Sequence, residues 1–374
     1  MDGTDSFGGR LLAGLLADTP EANVAVSPVS VSLAMAMAGG GARGETRAAL
    51  LAALGFAGME PGELGRRHAA LLERLRADDA DVTLDIANSL WVREGIPLSE
   101  EYIAACARDY GARTGELDFR SEQAVATIND WVRARTRGRI PGIVDQLREE
   151  DALVLLNAVY FKGRWSEPFE LELTRDREFR RPDGSRPPVP MMQRAGRFDY
   201  GEADGLQVLR LPYGEGGFAL YLLLPAEDDQ AGVSGLADRL TGGEFEHRRR
   251  GLNNREGELV LPRFRLEFSA QLNRVLSGLG MAIAFDPARA DFQGMLKAEI
   301  DMAFYINEVV HKSFIEVNEE GTEAAAATGT RMGITSVPLE ADRFRMVCDR
   351  PFLWLIRDEA TGTTLFIGAV NDPS

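Results

Sequence analysis

His68, His247 and His311 are the only imidazoles in the chain, so a general base or metal ligand of the histidine type has to come from three widely separated residues. None of them sits in a paired ligand motif such as H-E-x-x-H. Acyl chemistry would need a nucleophile beside a base, and Ser27 with His311 is the pair that invites a hydrolase reading. Yet no G-x-S-x-G turn presents a serine, and no G-x-x-x-x-G-K-[ST] loop presents phosphate-binding amides. The run Gly39-Gly40-Gly41-Ala42-Arg43-Gly44 lies between two helical stretches, which disfavours a phosphate cradle. Cys106 and Cys348 are the only cysteines; far apart and without metal-ligand spacing, they are expected to be two buried thiols. No metal or cofactor is expected.

A different kind of chemistry is written into Glu319-Glu320-Gly321-Thr322-Glu323-Ala324-Ala325-Ala326-Ala327. It closes the run Phe314-Ile315-Glu316-Val317-Asn318, whose alternation reads as a strand with one buried face. From Glu319 to Arg343 that character is lost, over a length unusual for a connection in a compact domain. Alternate residues from Thr322 (Thr322, Ala324, Ala326, Thr328, Thr330, Met332, Ile334) carry no charge, while the intervening set holds Glu323 and Arg331. A strand sends alternate residues to opposite faces, so the segment has the pattern to enter a sheet with its uncharged set inward. An Ala/Gly/Thr surface linker is the competing reading of the same residues.

The elements around it read as α+β. Ser27 to Leu54 predicts a helix entered at Ser27-Pro28 followed by a second helical run, and Glu63 to Leu75 a further helix. Strands are expected at Leu84–Trp91, Ala152–Tyr160, Leu206–Leu211, Phe218–Leu224, Glu258–Phe268 and Val309–Asn318, with a closing hairpin of Phe352–Ile356 and Thr364–Val370. With 45% hydrophobic residues in 374 and no linker, repeat or low-complexity tract, one domain over 1–374 is expected. The formal charge of −16 speaks against non-specific binding of nucleic acid or of an anionic membrane. No apolar run approaches a membrane span of roughly 20 residues. Met1 to Ser6 shows no secretion signal, which leaves localisation open between cytoplasmic and secreted. Three lysines against abundant arginine point to a GC-rich, bacterial genome.

Five segments in order resemble the serpins, a family of suicide inhibitors of serine proteases. They are Asn23 to Ser30; Ile128-Asn129-Asp130-Trp131-Val132 with Thr136 and Gly138; Leu156 to Trp165; Asp349 to Trp354; and Phe366-Ile367-Gly368-Ala369-Val370. The resemblance implies a central mixed sheet of five strands, two further sheets, about eight or nine helices and an exposed reactive-centre loop at about 319–343. It also implies a buried hydrogen-bonded cluster of Ser27, Ser30, Asn157 and His311, the shutter, in place of a hydrolase pair. At the top of the sheet it implies a breach of Trp165, Arg263 and Glu319, with Glu319 paired to Arg263. The loop hinge is then Glu319, Gly321, Thr322, Glu323 and Ala324 to Ala327. Family spacing puts the reactive bond at Thr335–Ser336.

The implied mechanism uses strain rather than catalysis. A protease attacks the loop, the freed arm inserts as a strand, and the acyl-linked protease is dragged on the order of 45 Å, from about 3.3 Å for each of roughly 14 residues. The expected partners are elastase-, subtilisin- or chymotrypsin-like serine endopeptidases, and the inhibitor is expected to be a monomer. A non-inhibitory serpin-fold binding or chaperone protein is the alternative.

Overall fold

The computed structural model describes residues 2–75, 80–226, 232–322 and 343–374. Among them are nine α-helices and two β-sheets.

The helix Pro28–Gly41 starts where the sequence signals it, with Ser27 as N-cap and Pro28 in the first turn, and all but one of its residues are buried. A helix apolar all round belongs inside a protein, and this one lies under the central sheet, with Ser27 and Ser30 at its upper end. The chain turns at Ala42-Arg43 before Gly44–Ala53 resumes the helical run. On the opposite face of the sheet lies Glu122–Arg135, capped by Ser121, whose Ile128 and Val132 are buried.

The central sheet runs, in spatial order, Phe264–Gln271, Glu308–Asn318, Gly321–Thr322, Leu153–Arg164, Val82–Arg93 and Arg113–Leu117. Five of these are strands of ordinary length; Gly321–Thr322 is a two-residue piece between the second and the fourth. Strand alternation divides the core in two. Val309, Ile315 and Val317 enter the main core on the side of Pro28–Gly41. Val310 and Phe314 enter a smaller cluster with Trp91, Tyr160, Ile128 and Val132 under Glu122–Arg135. The remaining nine strands, which the resemblance divides between two sheets, hydrogen-bond into one network through the 16-residue strand Pro188–Ala203.

One expected strand, Glu258–Phe268, is two. Asn253–Pro262 belongs to the nine-stranded sheet and Phe264–Gln271 to the edge of the central one. Pro262 has no N–H to donate, and the Arg263 N–H turns to the carbonyl of Pro190 at 2.9 Å, so the chain changes sheets here. The helices Asp2–Asp18, Glu100–Tyr110, Gly232–Leu240 and Glu244–Arg250 and the long strand Pro188–Ala203 had no counterpart in the sequence reading.

After residue 342 the chain re-enters the larger sheet as Phe344–Val347, pairing parallel with Asn253–Pro262. Phe344 stacks on Tyr200 at 3.9 Å between ring centroids and covers Gly257, where an added Cβ would lie 2.3 Å from the Phe344 ring and 2.5 Å from its carbonyl oxygen. Part of that clash is with backbone, so Gly257→Val should displace this strand. We expect a loss of about 1–3 kcal/mol, the usual cost of overpacking, read from denaturant unfolding followed by intrinsic fluorescence.

Candidate functional site

Two strands at the middle of the central sheet form the site. Glu308–Asn318 and Leu153–Arg164 run parallel and pair directly from Glu308↔Val154 to Phe314↔Tyr160. Above that level they part, and Gly321–Thr322 fills the opening, antiparallel to both: Thr322 stands opposite Val317 and Gly163, Gly321 opposite Asn318 and Arg164. The side chain of Thr322 points inward and is fully buried, its hydroxyl 2.7 Å from that of Tyr213. Gly321 has φ 152°, and a Cβ there would sit 2.0 Å from the Gly163 carbonyl oxygen. Only glycine lets the chain enter so narrow a gap.

The turn preceding Thr322 is clasped by the segment following Leu153–Arg164. The Trp165 N–H donates to the Glu320 carbonyl at 2.9 Å and the Phe169 N–H to that of Glu319 at 2.8 Å. The Trp165 indole N–H donates to the Asn318 carbonyl at 2.9 Å. Its ring stacks on Tyr213 at 4.5 Å, which joins the clasp to the residue holding Thr322. The Glu319 carboxylate is buried and receives Arg263 through Nε at 2.7 and 2.8 Å and Nη2 at 2.5 Å, with the Thr174 hydroxyl at 2.5 Å. A fork of this kind is among the stronger pairings available to a carboxylate. Arg263 reaches it because it stands at the change of sheets after Pro262.

Lower down, register alone assembles a polar row. His311 is the cross-strand partner of Asn157, and Asn157 of Asn88, so three adjacent strands place polar residues at one level on one face. All three, with Ser27 and Ser30, are buried. The Ser27 backbone N–H donates to His311 Nε2 at 3.3 Å. That leaves the ring proton on Nδ1, which donates to Asn157 Oδ1 at 2.5 Å. The Asn157 amide donates to the Ser30 hydroxyl and to Asn88 Oδ1. The Ser27 hydroxyl accepts from the Ser30 N–H at 3.4 Å. Because the imidazole meets the backbone of Ser27 and not its hydroxyl, the two do not form a nucleophile and base. Burial pushes the His311 pKa down to about 3.

The structure thus brings Ser27, Ser30, Asn157 and His311 into one cluster, and Trp165, Arg263, Glu319, Gly321 and Thr322 into another. Glu323, Ala324 to Ala327, Thr335 and Ser336 lie outside the described residues. Sequence reasoning missed Asn88, Thr174, Phe169 and Tyr213. Asn88-Ser89 was a signal, being a polar pair between the apolar residues Ile86-Ala87 and Leu90-Trp91-Val92; Tyr213 and Thr174 gave none, because their role arises only from tertiary contact.

Three comparisons bear on this arrangement. Residues 2–373 match the family described as serpin (serine protease inhibitor). The human leukocyte elastase inhibitor is 36% identical over 97% of this chain and 96% of its own. Among solved structures, a thermophilic serpin, tengpin, in its native state, superposes with a TM-score of 0.91 at 30% identity, covering 99% of this chain and 93% of that one. Thyroxine-binding globulin in complex with thyroxine gives 0.88 at 23% identity over 100% and 99% of the two chains, a likeness of fold.

The histidines set a pH dependence whose sign is fixed by burial. The folded pKa of His311 is about 3 and that of His68 about 4, both lowered by desolvation from 6.5. A depressed base leaves stability complete above pH 6.5 and erodes it as pH falls toward the folded value. Unfolding measured between pH 7 and 4 should lose up to about 1.4 kcal/mol per pH unit for each such histidine. His311→Gln should flatten that slope, leaving the contribution of His68.

Proposed function

This chain belongs to the serpin family, and from that premise we propose that it inhibits serine proteases as a suicide substrate. We place the reactive bond at Thr335–Ser336 in a single serpin domain over 1–374. The observation that carries this reading is Gly321–Thr322 held antiparallel between two strands that are parallel to each other below it. Extending the strand downward would exchange one parallel interface for two antiparallel ones. Antiparallel ladders are slightly the more stable per residue, and each new residue gains partners on both sides.

What prevents this in the intact protein is connection. A loop joined at Thr322 and at Phe344, the first residue of the returning strand, is tethered at both ends, whereas a cleaved one is tethered only at Thr322. After a protease serine has attacked and the acyl-enzyme has formed, the arm of Thr322 to Thr335 is released with the enzyme attached. In this reading the seven register pairs from Glu308↔Val154 to Phe314↔Tyr160 open to admit it. Ser27, Ser30, Asn157 and His311 act as the shutter. A seam of hydrogen bonds separates and re-forms more readily than interlocked apolar side chains. Arg263, Glu319 and Trp165 act as the breach, fixing the turn from which insertion proceeds.

An elastase-like or subtilisin-like target suits the small β-branched Thr335, in keeping with the elastase inhibitor among the relatives; chymotrypsin-like enzymes are a further class. The sequence alternation supports the same direction, since Thr322 faces inward and the uncharged residues follow it at intervals of two.

Thr322→Arg tests the insertion step. Thr322 already holds its place between the two strands, and a guanidinium forced against Tyr213 there should expel this first residue and slow the entry of those that follow, so that the variant is cleaved like an ordinary substrate and the protease regains activity. The ratio of inhibitor consumed to protease silenced should rise about tenfold or more over the parent chain. An unchanged ratio would remove Thr322 from the mechanism.

A further inference from the structure

A groove lies away from the central sheet, at the end of the nine-stranded sheet that carries Phe344–Val347. It has a volume of about 510 Å³ and is bordered by Arg177, Arg345 and Arg350, with Met191 and Val347 as apolar lining. A smaller hollow of about 130 Å³ adds Arg180 and Arg186 and shares Glu178 and Asp349 with it. Five arginines therefore face three carboxylates, Glu178, Asp349 and, beside Arg345, Glu258, in a chain whose formal charge is −16.

The carboxylates present are already engaged. Glu178 lies 3.9 Å from Arg186, Asp349 3.0 Å from Arg350, and Arg345 turns to Glu258 at 2.9 Å. Arg177 donates to the amide oxygen of Gln193 at 2.5 Å, a neutral group. Arg350 is largely buried, its side chain 13% exposed, so its charge is screened less than those on open surface. Gathered guanidinium groups repel one another, and their planar forks match anions with two or more oxygens. The groove's volume suits a small molecule.

We propose that this groove binds a compact, multiply charged anion of the phosphate or polycarboxylate class. Its placement gives binding a consequence. Arg345 belongs to the strand that takes the chain back into the sheet after residue 342, while Arg177 and Glu178 belong to Arg175–Glu178, on the far side of the Pro188–Ala203 and Asn253–Pro262 strands. An anion held between them bridges the two edges of this end of the sheet and restrains Phe344–Val347 from peeling away.

Titration calorimetry of the intact chain with pyrophosphate, and separately with citrate, tests the proposal, with sodium chloride at matched ionic strength as control. At least one of the two should give saturable binding of one anion per chain, absent with chloride. Arg177→Gln should weaken it about tenfold or more. Arg186→Gln, which alters an exposed side chain and leaves the fold alone, should weaken it by a smaller factor. Hydrogen exchange of the Phe344–Val347 amides should slow in the presence of the bound anion. No saturable heat with either anion at millimolar concentration, or equal affinity in both variants and the parent chain, would overturn the assignment.

Discussion

The direct parallel pairing of Glu308–Phe314 with Val154–Tyr160 is the constraint from which the rest of this structure takes its meaning. Two neighbouring strands that could each be flanked by an antiparallel partner are instead joined to one another, with a third segment, Gly321–Thr322, admitted only at the top. Hydrogen bonds are satisfied in both arrangements, so what differs is how many residues are paired and packed. In the proposed mechanism the paired strands are the closed state of a slot, and a barrier rather than an equilibrium depth keeps it closed.

In the proposed mechanism the surroundings of the slot divide into parts that anchor and parts that separate. At the top, the buried carboxylate of Glu319 is met by Arg263 and Thr174. Removing its cation would leave a charge with poor access to water, which is costly. Trp165 and Tyr213 link that turn to the hydroxyl of Thr322 through ring stacking. Midway down, the row of Asn88, Asn157 and His311 substitutes hydrogen bonds for apolar interdigitation where the strands would move apart. The same choice forces a neutral imidazole into the core, which is why its pKa lies far below the ordinary value.

Much of this was legible in the sequence, for identifiable reasons. The Ser27-Pro28 start is local chemistry, and the helix begins there. Strands expected at Leu206–Leu211 and Val309–Asn318 formed with ends shifted by one or two residues; alternation follows one buried face in the first, whereas the second is buried on both, with Val310 and Phe314 in one cluster and Val309, Ile315 and Val317 in the other. The strand read through Glu258–Phe268 failed at Pro262, where composition stays strand-like while the chain passes between two sheets. The Arg263–Glu319 contact and the shutter residues came from resemblance; no periodicity argument joins residues 56 positions apart. Thr174 and Tyr213 were invisible because neither carries a local signal, and their partners are set by the fold.

Whether a protease becomes covalently trapped is read from a denaturing gel of the intact protein mixed with elastase, subtilisin, chymotrypsin or trypsin. Suicide inhibition should give, with at least one of them, a band at the summed mass of inhibitor chain and protease that survives denaturation. Mass spectrometry of the released fragment should place the cut at Thr335–Ser336. Complete cleavage of the chain with every protease still active, and no such band, would contradict it and return the protein to a binding or chaperone role on the same fold.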